Sequence, residues 1–122
     1  MIISVEGIQV IGNHGVYSEE RKHGNIFQVD VYLDITPSES FFRDNILQTI
    51  NYKEVYDKVL EVMRTPRNLL ETLCIQLAKE ILSTWEEINE VKVRIAKLRP
   101  RYMEQCEKAF VELSLNRADL KS

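Results

Sequence analysis

The sequence predicts an α+β fold in which strands and helices follow one another as β-β-α-α-β-β, with both helices packed on one face of a four-stranded antiparallel sheet. Three observations predict it. Residues 26–35 alternate apolar and polar side chains with a period of two. Two stripes at helical spacing follow, the first ending before Pro66 and the second running to about Trp85. Two further alternating runs, 91–98 and 109–116, close the chain.

Residues 2–11 read as the first strand, which ends at the turn-prone GNHG. The polar, glycine-bounded GVYSEERKHGN that follows reads as a loop or tight connection. In the second strand Phe27, Val29, Val31, Leu33 and Ile35 form the apolar face, and Pro37 closes it. Residues 38–50 look irregular, with room for a short helical turn. Asn51 then has the character of a helix cap, with Glu54 three residues on. Val55, Val59, Val62 and Met63 recur on one helical face, and the residue before Pro66 disfavours helical angles.

Asn68 and Glu71 repeat the start signal. Leu70, Leu73, Cys74, Leu77, Ile81 and Leu82 then form the stripe of the second helix. In the third strand Val91, Val93 and Ile95 share a face, and the next residue in that apolar register is Lys97. In the fourth, Val111, Leu113 and Leu115 alternate with Phe110, Glu112 and Ser114. The other sheet face carries Tyr32, Lys92, Arg94 and Glu112, which suits either water or the interior of a wide oligomeric barrel.

A chain of 122 residues fits one domain spanning 1–122. Its net charge of −3, with both signs interspersed, carries no basic face for nucleic acid. No apolar run approaches the ~20 residues of a membrane span. The N-terminal MIISVEGIQV does not read as a signal peptide. Two cysteines, Cys74 and Cys106, are too few for a disulfide framework, which points to a reducing, cytoplasmic setting. With His14 and His23 the only histidines, a three-histidine zinc site is excluded. No Walker loop, GxGxxG or GxSxG elbow is present, so no metal and no nucleotide cofactor is expected.

Four polar residues stand at element edges. Glu20 lies in SEERKH and, taken alone, reads as surface. Tyr52 opens a helix and could simply cover its end. Glu71 could be no more than half of a capping box, worth about 1 kcal/mol. Lys97 could reach water along its stem, or the core register could be pointing it into a cleft.

Taken together, NHGVYSEERKHGNIFQVDVYLDI, DNILQTINYKEV, NLLETL and VRIAK resemble the dihydroneopterin aldolase family of folate synthesis, in order and over almost the whole chain. The resemblance implies the tunnelling fold, assembled as a ring of four subunits or a stacked octamer with sites between neighbours. It implies retro-aldol cleavage of 7,8-dihydroneopterin, without Schiff base, metal or cofactor, and with retro-aldol and re-addition able to invert C2′. It implies that Glu71 holds the pterin edge, with backbone at Leu70 and, from the adjoining subunit, at Ile50 and Asn51. It also implies that Lys97 is the base, directly or through water, that Tyr52 of the adjoining subunit handles the proton at C1′ or stabilises the intermediate, and that Glu20 lies near the side-chain hydroxyls and catalytic water.

The chain departs from the family pattern at Asn25, where glutamine is common. It departs again after the lysine, where LRPRYMEQ brings Arg99, Arg101 and Tyr102 in place of a proline-rich, small-residue segment. The two arginines keep a dihydroneopterin triphosphate 2′-epimerase open as the enzymic alternative. A pterin-binding ring without catalysis is the alternative of another class.

Overall fold

The computed structural model describes residues 1–44 and 50–121. Four strands, β1 (Ile2–Gly12), β2 (Asn25–Ile35), β3 (Ile88–Leu98) and β4 (Lys108–Asn116), form a sheet in the order β1-β2-β3-β4. Every neighbouring pair is antiparallel. Between the strands lie α1 (Ser18–His23), α2 (Glu39–Phe42), α3 (Tyr52–Met63) and α4 (Leu70–Thr84), and a 3₁₀ turn, Arg117–Lys121, closes the chain. The order β-β-α-α-β-β is as expected, with α1 and α2 as short additions.

The expected apolar faces form the core. Phe27, Val29, Val31 and Leu33 of β2 and Val91, Val93 and Ile95 of β3 are fully buried. Val55 and Val59 of α3 and Leu73, Leu77, Ile81 and Leu82 of α4 pack on them. Each such side chain contributes roughly 1.5–3 kcal/mol, so these two helical stripes, rather than helix propensity, fix where α3 and α4 lie.

Several boundaries differ from the sequence reading, each for a local reason. The segment read as a loop contains α1, six residues long, which is too short to display an apolar stripe. Asn51 does cap α3, its Oδ1 accepting the Lys53 N–H at 2.9 Å. Asn68 does not cap α4: the extended residue before the helix is Leu69, which makes no side-chain cap bond. β3 begins at Ile88 because a bulge lets Ile35 pair with Ile88 while Asp34 pairs with Glu90. The expected helical turn within 38–50 is α2, and residues 45–49 of that segment, with the matching part of DNILQTI, lie outside the described residues.

A second bulge, between Val5 and Ile8, has Gly7 at φ 74 and turns its N–H onto the buried Asp30 Oδ1 at 2.7 Å. Glycine there adopts a backbone conformation that side chains disfavour.

The direction of α4 matters most for the site. Near its start, Cys74 Sγ lies 4.0 Å from the Val93 carbonyl and 3.7 Å from that of Val111. At its end, Arg117 donates to the carbonyls of Leu82 and Trp85, each at 2.6 Å. A guanidinium from beyond β4 thus satisfies orphan carbonyls where the last turn holds no basic residue. α4 therefore runs antiparallel to β3, with its N-terminus beside the end of β3 that carries Lys97.

On the sheet's other face, Arg94 pairs with Glu112 at 2.8 Å and lies 4.4 Å from the Phe110 ring. Tyr32 donates to Glu6 at 2.7 Å, with the Lys92 ammonium 4.8 Å from its ring. These expected polar residues are an ordered network rather than a second core.

Candidate active site

Lys97 occupies a core register position, opposite Phe27 across the β2–β3 ladder. Its side chain is 16% exposed, and its ammonium is paired with Glu20 Oε2, whose side chain is 6% exposed. The two residues are 77 positions apart. A pair so far from water is held by its mutual hydrogen bonding, and removing one member strands the other.

Glu20 is held from several sides. Its Oε1 accepts the Tyr17 N–H at 3.4 Å, its Oε2 accepts Asn25 Nδ2 at 3.4 Å, and its backbone belongs to α1. Gly15 makes room for it: a Cβ there would stand 2.8 Å from Glu20 Oε1, at a φ of 148 that itself favours glycine.

His14, considered in the sequence only as a zinc ligand, is the residue that reading missed. It is fully buried, its ring edge against Phe27 with centroids 5.2 Å apart. Nδ1 accepts the Arg67 N–H at 3.1 Å, so Nε2 carries the proton and donates to the Met63 carbonyl at 3.0 Å. Burial pushes its pKa below the ordinary value, the bond to Met63 opposes this, and the Arg67 charge adds to the lowering. His14 is therefore a neutral latch between the β1–α1 loop and the α3–α4 connection. Gly12 makes room for the ring, since a Cβ there would meet it at 2.6 Å.

The predicted residues fall into two groups. Glu20 and Lys97 touch, and the first turn of α4, with half-buried Leu70 and exposed Glu71, lies at the same end of the sheet. Ile50, Asn51 and Tyr52 do not join them. Met63, at the other end of α3, is bonded to His14 beside the Lys97 end. At 1.5 Å per residue, Tyr52 stands roughly 17 Å along the helix from Met63. There Ile50 is buried, whereas Asn51 and Tyr52 are exposed, Tyr52 by 66%. One copy of the chain thus presents the amine–carboxylate pair at one end and the phenol at the other.

Among the described residues, no group of three or more His, Cys, Asp or Glu side chains is placed to hold a metal ion. Nor is any helix there long and apolar enough to cross a membrane. Cys74 and Cys106 are free thiols, and burial pushes Cys74 up to about 12, outside nucleophilic use.

Comparison with known proteins places the whole chain. The sequence profile of the dihydroneopterin aldolase family matches residues 3–114. A dihydroneopterin aldolase of Staphylococcus epidermidis is 39% identical over 100 residues, covering 81% of this chain and 83% of the relative. The structure of E. coli dihydroneopterin aldolase in complex with neopterin superposes with a TM-score of 0.85 at 17% identity, covering 95% of this chain and 99% of that one. The dihydroneopterin aldolase of Burkholderia thailandensis bound to guanine gives 0.75 at 20%, covering 96% and 91%. At these identities the two structures establish a shared tunnelling fold.

Proposed function

The chain belongs to the dihydroneopterin aldolase family, and from that premise we propose that it cleaves 7,8-dihydroneopterin by a retro-aldol reaction, releasing 6-hydroxymethyl-7,8-dihydropterin and glycolaldehyde. The observation that carries the reading is the Lys97–Glu20 pair, an amine and a carboxylate joined at the end of the core beside the start of α4.

The substrate's own ring reduces what the protein must supply. The 2′-hydroxyl gives up its proton, its electron pair forms the carbonyl of glycolaldehyde, and the C1′–C2′ bond breaks. The released pair moves toward the C6=N5 imine, giving an enamine protonated at N5. A proton delivered to C1′, with loss of the N5 proton, restores the imine. Electrons are neither gained nor lost overall, and the ring does the work of a Schiff base. Proton transfer and recognition remain.

Lys97 takes the 2′-hydroxyl proton, directly or through water, and Glu20 can receive a proton from the ammonium as that happens. Glu71 grips the amidine-like edge of the pterin through two parallel charge-assisted hydrogen bonds, and the Leu70 backbone lies beside it. Tyr52 handles the proton at C1′, with the Ile50 and Asn51 backbone completing the pterin slot. The distance along α3 between these three and Lys97 within one copy supports the reading that they come from an adjoining subunit, with a homo-oligomer, tetramer or octamer, as the working form. The unit is one domain over 1–122, and its free thiols fit a cytoplasmic setting.

Incubation with 7,8-dihydroneopterin should release glycolaldehyde stoichiometrically with the hydroxymethyl pterin. Inversion of dihydroneopterin triphosphate at C2′ without glycolaldehyde would instead establish the epimerase reading. Tight pterin binding with no turnover would leave a binding ring.

A further inference from the structure

We propose that Tyr102, with Tyr17, Ser18 and Glu19, forms the subsite that selects the substrate's polyhydroxyalkyl tail at the mouth of the Lys97–Glu20 pair. The proposal rests on the retro-aldol reading above and deepens it.

After β3 ends at Leu98, the backbone takes left-handed conformations at two residues that are not glycine, Arg99 (φ 48) and Tyr102 (φ 68). Such positions cost energy and persist only where the surroundings hold them. Here the Arg99 N–H bonds to the Glu107 carbonyl at 2.9 Å, the Met103 N–H to that of Pro100 at 3.3 Å, and the Cys106 N–H to that of Met103 at 2.9 Å. The turn so fixed sends Tyr102 back across to α1. Its hydroxyl donates to Glu19 Oε2 at 2.8 Å, and its ring meets Tyr17 edge-on with centroids 6.4 Å apart.

Both contacts are to the segment that carries Glu20. Glu19 precedes Glu20 in α1, and the Tyr17 N–H is itself bonded to Glu20 Oε1. The Tyr102 phenol lies within the field of Glu20 and of Arg101, and its pKa is raised chiefly by the bond to Glu19. Tyr102 thus links the two elements that deliver Lys97 and Glu20.

Tyr17, Ser18, Glu19 and Tyr102 line a cleft of about 450 Å³. Two phenols and a hydroxyl can donate or accept, a carboxylate accepts, and the ring faces offer apolar contact. A short polyol presents the matching surface of hydroxyl groups on a carbon chain. A flat heterocycle without a tail has nothing to place there. Tyr102 is in this sense a specificity-determining residue.

The test measures binding by calorimetry rather than turnover, with neopterin and with 6-hydroxymethylpterin, which lacks the outer tail carbons. In Tyr102→Phe and Glu19→Gln, the neopterin Kd should rise about tenfold while that of 6-hydroxymethylpterin stays within about twofold. A parallel loss of both ligands would reduce the Tyr102–Glu19 contact to a structural strap and overturn the proposal, as would no change in either. Failure of the unmodified protein to bind either pterin would overturn the retro-aldol reading and the subsite with it. That outcome is told apart by being visible before any substitution is made.

Discussion

Phe27 and Lys97 face each other across the β2–β3 ladder on the side of the sheet that forms the core, and only one of them is apolar. The strand has placed an amine at a half-buried position in the core register, where it ends against Glu20. Lys97→Met preserves the stem and removes the charge. Glycolaldehyde release should fall by about 10²–10⁴, the range spanned by general acid–base groups, while pterin affinity changes little. Unchanged turnover in stopped assays would remove Lys97 from the chemistry.

Glu71 is exposed in the first turn of α4, so its removal should leave the fold intact. Glu71→Ala should weaken pterin binding by roughly 100-fold or more, since two hydrogen bonds to a charged acceptor are lost. Thermal unfolding should shift by no more than a degree or two. Titration with a fluorescent pterin reads the first effect, and differential scanning calorimetry the second.

Tyr52 and Lys97 sit toward opposite ends of one copy, which makes complementation the direct test of a shared site. Lys97→Ala and Tyr52→Ala, each inactive alone, should regain activity when refolded together. Random assembly would restore both groups at about a quarter of the sites. Persistent inactivity of the mixture, with mixed oligomers demonstrated by mass spectrometry, would mean that each copy needs both residues itself.

His14 supplies a pH dependence whose sign follows from its environment. Burial lowers its folded pKa below the unfolded value of about 6.5. Its stabilisation is therefore complete above that value and is lost as the pH falls from about 6.5 toward the folded pKa, where only the unfolded chain binds the proton. The slope cannot exceed about 1.4 kcal/mol per pH unit for one proton. Urea unfolding between pH 7 and pH 5 should show this decline, and His14→Gln should show a shallower one from a lower starting stability.

The core was legible because alternation and helical stripes report burial directly. Val91, Val93 and Ile95 announced their face, and Lys97 stood out as the charged residue in that register. Residues in short, polar pieces were opaque. α1 has no stripe, so nothing local showed that Glu20 leaves the surface run SEERKH and becomes buried. His14 was hidden because its partners, Met63 and Arg67, lie about fifty residues away and offer only backbone groups. Asn68 imitates a cap, but the chain stays extended through Leu69 before turning helical. Pairings between distant elements leave no periodic trace in sequence.

The twelve-residue length of α3 also bears on how the protein would behave in a cell that makes little of it. On the shared-site reading proposed above, a rod that long keeps one copy from folding back to finish its own site, so specific activity should depend on abundance. On serial dilution below the assembly's dissociation constant, turnover per copy should then collapse.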